Sequence, residues 1–181
     1  MRCCVIGERG LTRGIPADWV VESWPAVVHA GARAYPDVRH DGCRDAHAAV
    51  WASVTGPTVV LEDDAVLDTH QLPGLLPGVD LLLLGGQPVG WEPLEGVHMV
   101  PRGALLARSH AYVASSRGAS VLASYRWVRG VPWMSQPRWR DELHVSLVWP
   151  PVAGQAANTS TITGLRMPER WWDERISHVM G

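Results

Sequence analysis

Three consecutive carboxylates, Glu62, Asp63 and Asp64, close an apolar run in TVVLEDDAVL, residues 58–67. Like charges side by side raise one another's pKa unless something positive offsets them. If the strand continues through them, alternation sends Glu62 and Asp64 to one side and Asp63 to the other. Two carboxylates on one side of an oxygen-rich loop make a hard site suited to Mg2+ or Mn2+, ions that keep positions open for a diphosphate. On that reading Glu62 and Asp64 hold the metal, and Asp63 orients the ribose or sugar of a donor. A bare acidic tripeptide is also met in exposed turns.

The complementary charge lies downstream. Between Gly96 and Arg140 there is no Asp or Glu, while seven Arg occur: Arg102, Arg108, Arg117, Arg126, Arg129, Arg138 and Arg140. A carboxylate cluster with a separate all-Arg stretch suits a metal plus a phosphate-bearing ligand; a solvated basic face is the plain alternative. Arg117 and Arg9 are candidate diphosphate ligands by residue type. His110, at a strand start, approaches a phosphate or the metal, or else is a surface residue. Gly85 and Gly86 end a strand, where they either let backbone approach a donor sugar or simply turn. His47 falls on the apolar face of its helix and reads as a core histidine. Cys43 and His47, four residues apart, lack a second pair of zinc ligands. The stretch RWVRGVPWMSQPRWR, residues 126–140, interleaves cations and aromatics as surfaces that stack single strands do, or walls a sugar-acceptor site.

These residues need elements to hold them. At 181 residues the chain predicts one domain, large enough to bury roughly 70% of its unfolded surface. No apolar run approaches the ~20 residues of a membrane span, and MRCCVIGERG lacks the apolar core of a secretory signal. A soluble, cytoplasmic protein is expected. Three cysteines are too few for a disulfide framework. The absence of Lys and Phe beside ten Trp reflects a GC-rich genome, bacterial or bacteriophage. A net charge of −2 argues against a long DNA footprint.

Residues 2–7 predict a strand and WVVESW at 19–24 a weak helix, with a strand at 26–30. Asp41 is placed to cap a helix over 42–54 that ends before Gly56-Pro57. Strands follow at 58–62 and 80–86, continuous apolar runs of the kind buried on both faces. Residues 97–100 and 104–107 suggest a hairpin. A strand at 110–115 precedes a helix capped by Ser115 or Ser116, LHVSLVWPP holds a last strand, and the tail PERWWDERISHVM has a helical pattern. The alternation predicts an α/β domain with a mostly parallel central sheet flanked by helices.

Taken in order, Gly42-Cys43-Arg44-Asp45-Ala46-His47, VVLEDDAVL, LLLLGG and HAYVASSRGASVL resemble the family-25 glycosyltransferases, the group of lipopolysaccharide-biosynthesis and procollagen galactosyltransferases. The matching positions are Gly42, Cys43, His47, Leu61 to Asp64, Gly85, Gly86, Ala111, Tyr112, Ser115, Gly118 and Ala119; Ala46 stands where the family has Ser. The likeness covers roughly residues 42–124. It implies a GT-A fold, a nucleotide-sugar donor with UDP-hexose foremost, a metal on the E-D-D carboxylates, and inversion at the sugar carbon. Inversion in one displacement needs a base for the acceptor's proton. The family's acid after the A-Y helix is missing, since Gly130-Val131-Pro132-Trp133 stands there. Asp141 and Glu142 are the next acids to take that role, or else serve as helix caps.

The resulting expectation is a metal-dependent hexosyltransferase acting on a hydroxyl acceptor: a glycan, a protein or a modified nucleic-acid base. The rivals are a non-catalytic GT-A-like protein that binds a nucleotide sugar or nucleic acid, and a nucleotidyltransferase releasing pyrophosphate.

Overall fold

The computed structural model describes residues 1–7, 12–30, 36–68, 75–108, 110–136, 138–156, 158–159 and 166–167. In chain order its strands are β1 (Arg2–Ile6), β2 (Val20–Trp24), β3 (Thr58–Glu62), β4 (Ala65–Leu67), β5 (Leu81–Leu83), β6 (Gln87–Val89) and β7 (Gly96–Met99). There follow β8 (Leu105–Ala107), β9 (Ala111–Ala114), β10 (Val145–Trp149), β11 (Ala153–Gln155), β12 (Asn158–Thr159) and β13 (Arg166–Met167). Two helices are described, α1 (Pro36–Ser53) and α2 (Ser116–Ser124), with single 3₁₀ turns at Trp133–Ser135 and Arg138–Asp141.

The fold is α/β. Its main sheet has seven strands in the order β2-β1-β3-β9-β5-β10-β7. The pairs β1–β2, β1–β3 and β5–β10 are parallel, whereas β3–β9, β5–β9 and β7–β10 are antiparallel. The expected mostly parallel sheet is therefore corrected to a mixed one, in which β9 and β7 run against the other five. A parallel return needs a crossover of about a dozen residues, usually a helix. Between β5 and β9 the chain instead makes the short strands β6, β7 and β8, and β9 comes back antiparallel.

Alternation along the inner strands builds two cores. Cys4, Val60, Leu81, Leu83, Tyr112, Ala114 and Leu147 face α1, α2 and the buried Trp133 and Trp139. Cys3, Val59, Leu61, Leu82, Leu84, Ala111 and Val113 face the other way, toward β4, Val152 and Ala153, with Ile15 and Trp19 packed against them. Both described helices thus pack on one face, and the β4–β11 ribbon helps cover the other. Each fully buried Val or Leu in these layers contributes roughly 1.5–3 kcal/mol.

Several local expectations are corrected. VVESW is an edge strand pairing with β1, and residues 26–30 form none. Asp41 lies inside α1, which starts at Pro36, a residue suited to a first turn because it needs no amide partner there. The hairpin does not form: β7 pairs with β10, and β8 with β6. Residues 168–180, read as a helical tail, and Arg9 lie outside the described residues. No described helix is long and apolar enough to cross a membrane.

The registers define two edges. Gly7 after β1, Glu62 at the end of β3, Leu84-Gly85 after β5 and His110 before β9 share one edge. The chain goes from β1 to β2 on one side, then crosses through α1 to β3 on the other, so the carboxyl ends of β1 and β3 flank a topological switch point. In open α/β sheets ligands bind in that crevice.

Candidate functional site

Helix α1 brings Cys43, His47 and Trp51 along one face, four residues apart, against the carboxyl edge of β3. Trp51 Nε1 lies 2.8 Å from the Tyr112 hydroxyl, which lies 2.8 Å from His47 Nδ1. Indole N–H only donates, so the Tyr112 oxygen accepts from Trp51 and its proton points to His47 Nδ1. That assigns the His47 proton to Nε2, which donates to Glu62 Oε1 at 3.3 Å. The chain of donors runs in one direction, Trp51 to Tyr112 to His47, and ends on a carboxylate. His47 and Trp51 are fully buried and pack with Trp133, the imidazole centroid 5.6 Å from that ring.

Cys43 Sγ also approaches Glu62 Oε1, at 4.0 Å. Among the described residues Cys43, His47 and Glu62 form the one group of three whose ligand atoms lie within 4.8 Å of one another. Sulfur, nitrogen and oxygen donors are a zinc-type set. Metal at His47 Nε2 would displace its proton to Nδ1 and leave the buried Tyr112 proton without an acceptor, so the trio reads better as hydrogen-bonded side chains. Burial pushes the Cys43 thiol well above its ordinary pKa, and the charges of Glu62 and Asp64 push it further.

Beyond Glu62 the strand stops, and Asp63 and Asp64 form a turn into β4 rather than continuing the alternation. Asp63 packs against Gly7, which has φ +110 and where a Cβ would fall 2.5 Å from the Asp63 carboxyl carbon. Only glycine fits that approach. Asp64 is 2% exposed, and its carbonyl accepts from Ala156 N at 2.6 Å. The charges of Glu62 and Asp64 bear together on Cys43 and His110. Asp63 faces β1.

His110 is buried, with Nε2 donating to the Ala153 carbonyl at 3.1 Å. Its carbonyl accepts from Glu62 N at 2.8 Å. Burial pulls its pKa below the ordinary histidine value, against the opposing pull of Glu62, the Ala153 carbonyl and Asp64. The imidazole fills the space beside Gly85, where a Cβ would overlap the ring and lie 2.8 Å from the Ala153 carbonyl. What approaches Gly85 is therefore the protein's own histidine. A Cβ on Gly86 would meet the Leu83 and Leu147 side chains at 3.0 and 3.1 Å.

Arg117, Asp141 and Glu142 are not brought to this edge. Arg117 sits in the first turn of α2, paired with buried Asp80, and donates to the Glu142 carbonyl at 2.8 Å. Asp80 also accepts from Ser115 and from His144 N. Asp141 and Glu142 are exposed and precede β10. The reason is strand direction. In a parallel arrangement the residues after β9 would reach the site; its reversal brings His110 to the site and carries Arg117 to the far edge. Because β10 runs with β5, whatever precedes it also starts at the far edge.

The sequence reading missed two contributors. Arg108 is half-buried with φ 65 and donates to Gln87 and Gln155, each at 3.0 Å; burial pulls its pKa down to about 10. Its place in the acid-free Arg stretch and its nearness to His110 in the chain were the hints of a role. Tyr112, a motif match, links Trp51 to His47 through its hydroxyl. In the Arg–Trp stretch, Trp133 and Trp139 lie in the core and are closed to stacking with a ligand, while Trp127 is half-buried.

Comparison with known proteins gives no matching family model and no matching curated protein. Three-dimensional contacts link the four ordered sequence motifs. His47 of the first motif meets Glu62 of the second and Tyr112 of the fourth, and Gly85 of the third meets His110.

Proposed function

We propose that the protein is a metal-dependent glycosyltransferase of GT-A type, moving a hexose from a nucleotide sugar, UDP-hexose foremost, to a hydroxyl acceptor with inversion. The observation that carries this reading is the meeting of four separate motif segments at the carboxyl edge, beside the switch point, with the E-D-D acids at its centre.

The donor set fits a divalent cation. Glu62 ends β3 and Asp64 lies in the turn that follows it, and their oxygens are the donor type that Mg2+ or Mn2+ prefers. These two residues would hold the cation, and a bound Mn2+ would offset the charge gathering on the departing nucleoside diphosphate. Asp63, packed against Gly7, is assigned to the donor's ribose or sugar hydroxyls. Arg108, in the connection between β8 and His110, adds positive charge for the diphosphate. Asp141, Glu142 and Arg117 stand on the far edge and have no part in the proposed site. The acceptor is a glycan, a protein side chain or a modified nucleic-acid base.

A second reading is a GT-A-like protein that binds a nucleotide sugar without turning it over. In its favour, the two acids expected to serve as base stand away from the site. Incubation with UDP-hexoses and Mn2+ separates the two. A transferase releases nucleoside diphosphate slowly even without acceptor, whereas binding with no release over a day supports the second reading. Pyrophosphate as product would indicate a nucleotidyltransferase.

A further inference from the structure

We propose that His47 is a positioning residue for the E-D-D cluster: through Nε2–H it holds the Glu62 carboxylate in the orientation that a cation or donor diphosphate requires. The inference rests on the reading that Glu62 belongs to such a site, and adds what fixes it there.

Glu62 ends β3, and the residues after it leave the sheet for a turn, so the ladder does not restrain its side chain. A glutamate with three free torsions samples many orientations. Something has to select one. Two donors from α1, Cys43 Sγ and His47 Nε2, converge on a single oxygen, Oε1.

A histidine that rotated or changed tautomer would be a poor clamp. His47 can do neither cheaply. Its Nδ1 takes the Tyr112 proton, and Tyr112 is held in turn by the Trp51 indole. Either alternative state, a flipped ring or a proton on Nδ1, strands a buried polar atom. The ring is also wedged among Trp51, Tyr112 and Trp133, with centroids 5.9, 5.7 and 5.6 Å away. Supporting hydrogen bonds of this kind fix the direction of ligating carboxylates, and their loss typically lowers metal affinity 10- to 100-fold. Trp51, His47 and Tyr112 act on Glu62 as one unit although they stand up to 65 residues apart.

Two substitutions of one residue separate positioning from packing. Asn at 47 can still accept the Tyr112 proton but is too short to reach Glu62, whereas Gln carries an N–H to about where Nε2 stands. Mn2+ affinity, read by electron paramagnetic resonance of the free ion in the presence of UDP, is expected to fall 10- to 100-fold in His47→Asn and to recover to within about threefold of wild type in His47→Gln. Thermal unfolding of both variants should be cooperative and similar. Should either variant fail to fold, Tyr112→Phe carries the test, with a smaller loss of affinity expected from a clamp whose tautomer is no longer fixed. Equal affinities for wild type and His47→Asn would overturn the proposal. So would nitrogen hyperfine coupling to bound Mn2+ that His47→Asn abolishes, because His47 would then be a ligand. If wild type binds no Mn2+ with or without UDP, the metal reading itself fails, and the role given to His47 fails with it.

Discussion

Tyr112→Phe removes one oxygen from the buried relay and keeps the ring. Two groups lose their partner at once: the Trp51 indole N–H and His47 Nδ1, both 2.8 Å from the hydroxyl. Neither side chain reaches solvent, so no water replaces the oxygen without opening the core. Each stranded buried polar group costs about 1–3 kcal/mol, and part is recovered because the hydroxyl itself no longer needs desolvating. The net loss works out to about 2–4 kcal/mol. For a domain of this size that corresponds to a fall in Tm of about 4–16 °C. Urea unfolding followed by tryptophan fluorescence measures it, with an unchanged slope showing that the native state stays compact. A Trp51→Phe variant and the double variant complete a cycle in which the two losses should be non-additive by about 0.5–3 kcal/mol. A Tyr112→Phe loss below about 1 kcal/mol, or strict additivity, would mean that these three side chains are neighbours only, and the tautomer assigned to His47 would fall.

Other outcomes follow from the same contacts. Gly85→Ala drives a methyl into the His110 ring and toward the Ala153 carbonyl; it should cost about 1–3 kcal/mol by urea unfolding, and a neutral result would show that His110 does not occupy that space. The Asp41 carboxyl feels burial, which raises its pKa, but the Gly130 N–H and the Arg44 guanidinium outweigh this and hold it below its usual range. On acidification the unfolded chain takes up this proton first, so the stabilisation is present above about pH 4 and is lost as pH falls below it. Urea midpoints between pH 5 and pH 3 should therefore fall more steeply in wild type than in Asp41→Asn, and parallel curves would contradict this. Arg140 is 5% exposed, and its guanidinium nitrogens have no hydrogen-bond partner among the described residues. Arg140→Met should raise stability by about 1–3 kcal/mol, and a loss would show that the cation is paired in solution.

What the chain disclosed of its fold follows from burial. VVLE and DLLLL read as inner strands because both sheet faces are covered and apolar residues run without a break. Edge strands carry no such mark. Val20 and Val21 in β2 are 65% and 47% exposed, and WVVESW has a period that suits a helix as well as a strand. Strand direction is written in no residue, since alternation is the same both ways. The same blindness explains the site. Glu62 and Asp64 were legible as acids ending a buried strand, and His110 as a neighbour of the A-Y motif. Arg117 was misplaced because β9 runs antiparallel, and Asp141 and Glu142 because they precede a strand rather than follow one. His47 read as a core histidine. It is buried, and its link to Glu62 depends on how α1 docks on β3, a tertiary fact beyond any spacing rule.

The central claim is that the acids after β3 grip a cation together with the diphosphate of a sugar donor. Calorimetric titration of UDP-hexose into the protein, with and without Mn2+, addresses it most directly, provided Asp64→Ala is measured alongside. Binding should require both ligands and vanish in Asp64→Ala while the variant unfolds cooperatively near the wild-type midpoint. Donor binding that is indifferent to Mn2+, or that survives in Asp64→Ala, would contradict it.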